Sequence, residues 1–307
     1  MAQPDLSDSP SAPDERRSIA GGLLRTVRVP QWPKNLLVFA APGAASVLDA
    51  PGHLTEALVA FASFCLAAGG TYTLNDALDA ESDRRHPTKR HRPVAAGDVP
   101  LSVAWPAGFL LIGAGIALGL VADWRLSVTV VAYVALTTTY SLWLKHLVVI
   151  DIVAVAAGFV LRALGGAAAT GVPISDWFFI VVSFGSLFVV TGKRQGEAGE
   201  LREAAADIRP TLGQYSESYL AYLRSVSTGV VLVAYCLWAF EKAAQAGGPT
   251  PWFQLSIVPF VVAVLRYALL LDRGEGAAPE EIFLTDRALQ AAGLVWVGVF
   301  GVGIWIT

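Results

Sequence analysis

Nine stretches of this chain are too long and too apolar for a water-soluble core. They fall at 36–50, 54–74, 101–121, 126–144, 147–169, 176–192, 220–240, 252–271 and 286–306, the first and sixth somewhat short. A bilayer's hydrocarbon core takes about 20 apolar residues of helix to cross. With 54% hydrophobic and only 15% charged residues, the expectation is an all-α, multi-pass transmembrane bundle of nine helices. The 29 glycines then read as helix-packing residues, because small side chains let transmembrane backbones approach closely.

Residues 1–18 are rich in Ser, Pro and Asp and lack an apolar signal core, so they read as a disordered tail and not a cleavable signal. Residues 1–20 are accordingly set apart from a single membrane domain over 21–307. Lys and Arg fix the orientation. With the N-terminus in the cytoplasm, 19 of the 22 lie on inner segments, Arg125 and Lys242 lie outside, and Arg162 sits within a span. The protein is thus expected in the plasma membrane with its N-terminus and charged loops cytoplasmic. Cys65 and Cys236 both fall inside spans, form no disulfide framework or zinc spacing, and read as small buried hydrophobes.

One inner loop carries the strongest chemistry. Asn75, Asp76, Asp79 and Asp83 follow the second span, and on a helix at about 100° per residue all four share a face while Glu81 points away. Oxygen ligands so arranged suit a hard cation such as Mg²⁺, which keeps part of its shell for water and substrate phosphates. A basic run follows at once: Arg84, Lys89, Arg90 and Arg92, with His86 and His91 between, suited to phosphate. An ordinary solvated loop would also balance acid with base, but here the carboxylates share a face at the membrane edge.

The second long inner loop, four helices later, mixes charges. Lys193, Arg194, Glu197 and Glu200 precede Arg202, Glu203, Asp207 and Arg209, and Lys193, Glu197 and Glu200 can face one point. The two loops suggest two four-helix halves forming opposite walls of one site, with a ninth helix added. Arg28, Gln31, Lys34 and Asn35 sit just before the first span, either as a topology-setting basic flank or with Lys34 and Asn35 reaching substrate phosphate or ribose hydroxyls. Tyr140, Ser141, Lys145 and His146 bracket the inner end of the fourth span. Arg162 lies well inside an apolar span, about 20° from Asp151 on the same face, and an intramembrane charge is by default a functional candidate.

Asn75-Asp76-x-x-Asp79-x-x-x-Asp83, followed by Arg84-x-His86-Pro87-x-Lys89-x-x-Arg92-Pro93-x-Ala95-x-Gly97, resembles the first signature of the UbiA superfamily of intramembrane prenyltransferases. Within it, Gln31-Trp32-Pro33-Lys34-Asn35, Lys193-Arg194-x-x-Glu197, and Arg162 within Gly158 to Gly166 are more similar to the branch of decaprenyl-phosphate phosphoribosyltransferases. The likeness covers roughly residues 25–305. The aromatic prenyltransferases usually carry a second aspartate-rich motif where this chain has Lys193, Arg194 and Glu197.

The resemblance implies Mg²⁺ held by Asn75, Asp76, Asp79 and Asp83, with the three aspartates catalytic. The donor implied is 5-phosphoribosyl 1-diphosphate, contacted by Lys34, Asn35, Asn75, Arg84, Lys89, Arg90, Arg92, Tyr140, Lys145, Arg162, Lys193, Arg194 and Glu197. The acceptor implied is a polyprenyl (decaprenyl) phosphate, in synthesis of the lipid-linked arabinose donor for cell-wall arabinan. Membrane lipids are expected partners, nucleic acid is not, and a homo-oligomer stays open. An aromatic prenyltransferase acting on a quinone or haem precursor is the runner-up. A transporter using Arg162 and Asp151 as buried charges is a third reading, disfavoured because the chemistry clusters at an edge and not at the midplane.

Overall fold

The computed structural model describes residues 18–200, 211–246, 251–277 and 279–306, and among them every regular element is a helix. In order, apart from four three-residue 3-10 turns, these are α1 (Ile19–Thr26), a 3-10 segment (Val29–Phe39), α2 (Ala40–Ala44), α3 (His53–Leu78), α4 (Ala80–Arg85), α5 (Leu101–Ala122), α6 (Trp124–Leu142) and α7 (Ile150–Thr170). There follow α8 (Asp176–Glu200), α9 (Glu217–Ala246), α10 (Trp252–Leu255), α11 (Ile257–Asp272), α12 (Pro279–Thr285) and α13 (Arg287–Ile306).

Seven of these units are long and apolar enough to cross a membrane: α3, α5, α7, α8, α9, the joined α10 and α11, and α13. Two of the nine stretches expected to cross, 36–50 and 126–144, are not among these seven. The expected span at 126–144 corresponds to α6, which is 19 residues long, but Thr129, Thr137, Thr138, Thr139 and Ser141 make it less apolar than the seven. The expected first span is not one helix. Pro30, Pro33 and Pro42 remove backbone donors, so this stretch folds as the 3-10 segment and a five-residue α2. Most of the expected tail lies outside the described residues; Ser18 caps α1, whose first turn holds Ile19 and Ala20.

α3 and α7 are the most buried of the seven spans. Phe64, Ala67 and Ala68 of α3 meet Ala169 of α7, Val38 of the 3-10 segment, and Leu126, Val130 and Tyr133 of α6 in one core. Glycine makes this closeness possible. A Cβ on Gly166 would stand 1.7 Å from the carbonyl oxygen of Val38, and one on Gly70 would stand 2.6 Å from that of Gly108, so α7 and α3 each touch a neighbouring backbone directly. The outer helices leave large apolar side chains uncovered, with Leu110, Val121 and Leu294 more than 70% exposed. Such a surface suits lipid and not water.

The elements that bear charged residues meet at one end of the bundle. The C-terminal ends of α3, α6 and α8 arrive there with the N-terminus of α7, and α4 continues from α3 after a kink at Asp79.

Candidate active site

α3 stops at Leu78 because Asp79, at φ −88° and ψ 0°, leaves helical geometry before α4 begins. The single helical face expected for the acidic motif is therefore broken. Asp76 and Asp83 stay together and are buried, at 1% and 3% exposure, while Asp79 at the kink is exposed. Asn75 turns aside and donates its amide to Ser141 Oγ of α6 at 3.0 Å.

Two arginines cover the buried carboxylates. Arg28 Nη2 donates to Asp76 Oδ1 at 2.6 Å; Arg92 Nη1 donates to Asp83 Oδ2 at 2.8 Å and stands 3.3 Å from Asp76 Oδ1. Arg28 was legible only as part of a basic flank. Its left-handed backbone, with φ and ψ both 55°, turns the chain between α1 and the 3-10 segment, and its guanidinium lies 4.8 Å over the Tyr72 ring. The other basic residues of the loop spread outward: Arg84 donates to Ala95 O at 3.3 Å, Arg90 to His91 Nε2 at 3.3 Å, and Lys89 is half-buried in a short 3-10 turn.

The second cluster is built around Asp151, in the first turn of α7, where helix N-termini favour negative charge. Asp151 is fully buried. Arg194 Nε stands 3.3 Å from its Oδ2, Tyr215 donates its hydroxyl to Oδ1, and Thr211 donates at 3.4 Å. Burial pushes the Tyr215 phenol above its ordinary value, and the hydrogen bond to Asp151 pushes it further, so it remains a donor. That same hydroxyl accepts from Val149 N at 2.6 Å, bracing a valine at φ 70°. Such a backbone is unfavourable for a β-branched residue.

Arg194 is 3% exposed; its Nη1 donates to Glu197 Oε2 at 2.8 Å and its Nη2 to the Tyr140 hydroxyl at 3.2 Å. Lys193 and Glu197 sit 4.0 Å apart and are more accessible. Because Tyr140 faces Arg194 while its neighbour Ser141 faces Asn75, the end of α6 joins the two clusters. Lys145 lies nearby, its carbonyl accepting from Thr211. The side chain of Glu200 and residues 201–210, with Arg202, Glu203, Asp207 and Arg209, lie outside what the structure describes.

Arg162 and Asn35 belong elsewhere. Arg162 donates to Asn35 Oδ1 at 2.7 Å, Gly158 O at 2.8 Å and the Tyr133 hydroxyl at 2.9 Å, and its guanidinium lies over the Tyr133 and Phe159 rings. Asn35 spends its amide group on Cys65 Sγ at 3.1 Å. The shared helical face of Arg162 and Asp151 makes no pair, since 11 residues of helix separate them by about 16 Å. Lys34 donates to Gln31 and is half-buried.

Among the described residues no three His, Cys, Asp or Glu side chains converge as a ready-made metal cage. The oxygen donors still fit a hard cation, which needs few protein carboxylates and completes its shell with water and phosphate oxygens.

The sequence pattern described as the UbiA prenyltransferase family matches residues 36–294. A decaprenyl-phosphate phosphoribosyltransferase from Corynebacterium glutamicum is 40% identical over 295 residues, 94% of this chain and 89% of that protein. One of the same name from Mycolicibacterium smegmatis is 40% identical over 301 residues, 95% of each chain. Among solved structures, a UbiA homologue from Archaeoglobus fulgidus bound to GPP and Mg²⁺ superposes with a TM-score of 0.66 at 15% identity, covering 93% of this chain and 99% of that one.

Proposed function

Because this chain belongs to the UbiA prenyltransferase family, we propose that it is a decaprenyl-phosphate phosphoribosyltransferase, moving 5-phosphoribose from 5-phosphoribosyl 1-diphosphate to a polyprenyl phosphate. The observation that carries this reading is the 40% identity to two such enzymes along 94% and 95% of the chain. The second cluster supports it. Where a prenyl diphosphate clamp needs a further acidic wall, Lys193 puts an accessible cation, as a donor with an additional phosphate requires.

The acceptor's phosphate oxygen attacks C1 of the ribose, and the C1–O bond to diphosphate breaks. The acceptor is already anionic near neutral pH, so no strong general base is needed. Lys89, Arg90, Arg92 and Arg84 on one side, with Lys193 on the other, hold phosphate oxygens and stabilise the charge that grows on departing diphosphate. Mg²⁺ held by Asp76, Asp79 and Asp83, with help from Asn75, would supply Lewis-acid stabilisation of that same charge. Tyr140, Lys145, Lys34 and Glu197 border the donor, Arg194 fixes Tyr140 and Glu197, and Arg162 with Asn35 ties the 3-10 segment to α7 behind it.

We assign the enzyme to the plasma membrane as one domain from residue 21 onward. It crosses nine times if α6 and the 29–50 segment are counted, with its charged end cytoplasmic, as the distribution of Lys and Arg favours. The product would feed a lipid-linked arabinose donor for cell-wall arabinan.

Membranes containing the protein, given labelled 5-phosphoribosyl 1-diphosphate, Mg²⁺ and polyprenyl phosphate, are expected to form a lipid-linked phosphoribose. Absence of that product together with prenyl transfer to an aromatic acceptor would replace this reading.

A further inference from the structure

Four charges share the floor of the first cluster, and they balance: Asp76 and Asp83 against Arg28 and Arg92. Buried carboxylates need partners inside the protein, and here each has one. The layering matters as much as the pairing. The carboxylate side chains are 2% and 4% exposed, whereas those of Arg28 and Arg92 are 31% and 28% exposed, so anything entering from solvent meets the guanidinium groups first. Arg28 is also held for this position, by its left-handed backbone and by the Tyr72 ring beneath it.

A divalent cation arriving alone brings two positive charges to a balanced quartet and competes with arginines already hydrogen-bonded to its ligands. A diphosphate arriving alone is drawn to the arginines but repelled by the carboxylates behind them. When both arrive, phosphate oxygens take over the guanidinium groups, and the carboxylates so released take the cation.

Resting on the metal-assisted transfer proposed above, we propose that Arg28 and Arg92 are exchangeable counter-ions that oblige a divalent cation and the donor's diphosphate to bind as a pair. Each ligand then raises the other's affinity by the same factor, as linkage requires. The device keeps a cation from sitting unproductively on the acidic floor, and it gives Arg28 a role in the site that its place before the first span does not suggest.

The test uses the full chain in detergent with two probes, MgCl₂ alone followed by calorimetry, and labelled inorganic diphosphate retained with and without Mg²⁺. Wild type is expected to take Mg²⁺ alone weakly and to retain diphosphate only when Mg²⁺ is present. Arg28→Gln should bind Mg²⁺ alone at least about tenfold tighter than wild type, and should retain diphosphate at saturating Mg²⁺ at least about tenfold more weakly. Arg28→Lys, which keeps the charge, should move both values back toward wild type; a residue needed only for folding would show neither opposed shift nor rescue. Equal Mg²⁺ affinity in wild type and Arg28→Gln overturns the pairing. If Arg28→Gln does not fold by thermal melting, wild type and Arg28→Lys decide, and tight Mg²⁺ binding by wild type alone overturns it. Diphosphate that wild type fails to retain even with Mg²⁺ removes the metal-assisted reading itself, and the pairing with it; retention with independent Mg²⁺ binding removes the pairing only.

Discussion

Asp79 and Asp76 are three residues apart in one motif, yet they carry different loads. Asp79 is exposed at the kink, so Asp79→Asn should leave the melting temperature unchanged while phosphoribosyl transfer by labelled-product assay falls at least about 100-fold, the scale of losing charge stabilisation in a transition state. Asp76 is buried under two arginines, and Asp76→Asn should lower both activity and melting temperature. Arg162 offers the opposite case. Removing it as Arg162→Met strands Asn35 Oδ1 and the Tyr133 hydroxyl in the core, at a cost on the order of 3 kcal/mol, read as a lower denaturant midpoint. Arg162→Lys should not restore that stability, because an ammonium cannot reach three acceptors set out for a planar fork. The motif and the buried arginine were both legible in the sequence. Their partners were not: nothing in the spacing ties Arg162 to Asn35, 127 residues away, or Arg194 to Asp151.

At the level of elements, packing depends on where backbones touch. Gly166→Ala would press a methyl group onto the Val38 carbonyl, and a backbone carbonyl cannot rotate away as a side chain can. Overpacking of this kind costs about 1–3 kcal/mol or more, so the variant should melt well below wild type, while Gly113→Ala, with open space around its Cβ position, should melt with it. The long helices were legible because about 20 apolar residues in a row leave few alternatives. The stretch expected as a span at 36–50 does not form one continuous α-helix: hydropathy ignores backbone donors, and Pro33 just before it and Pro42 within it remove two. The kink at Asp79 was also missed. A helical wheel assumes continuity, and the break rotates Asp79 off the face that keeps Asp76 and Asp83.

At the scale of the whole molecule, an ion pair ties α11 to the start of α13. Arg266 donates to both oxygens of Asp286, at 3.1 and 2.6 Å, and Asp286 accepts from Leu289 N at 2.7 Å. Arg266, and then that backbone bond, hold the Asp286 carboxyl below its ordinary value. A depressed carboxyl stabilises the fold above its unfolded value, about 3.9, and that contribution is lost as pH falls toward the folded value. Melting followed below about pH 4 should therefore decline more steeply in wild type than in Asp286→Asn, which starts lower. The sequence by itself determined the solvent, the helical class and the family, since apolar length and a motif of nine residues are local properties of the chain. Only the tertiary structure decided which charges face each other. Ion pairs form between side chains far apart in sequence, and their energy depends on burial and distances of a few ångströms, so Arg28 over Asp76 and Asp151 beneath Arg194 had to be built before they could be read.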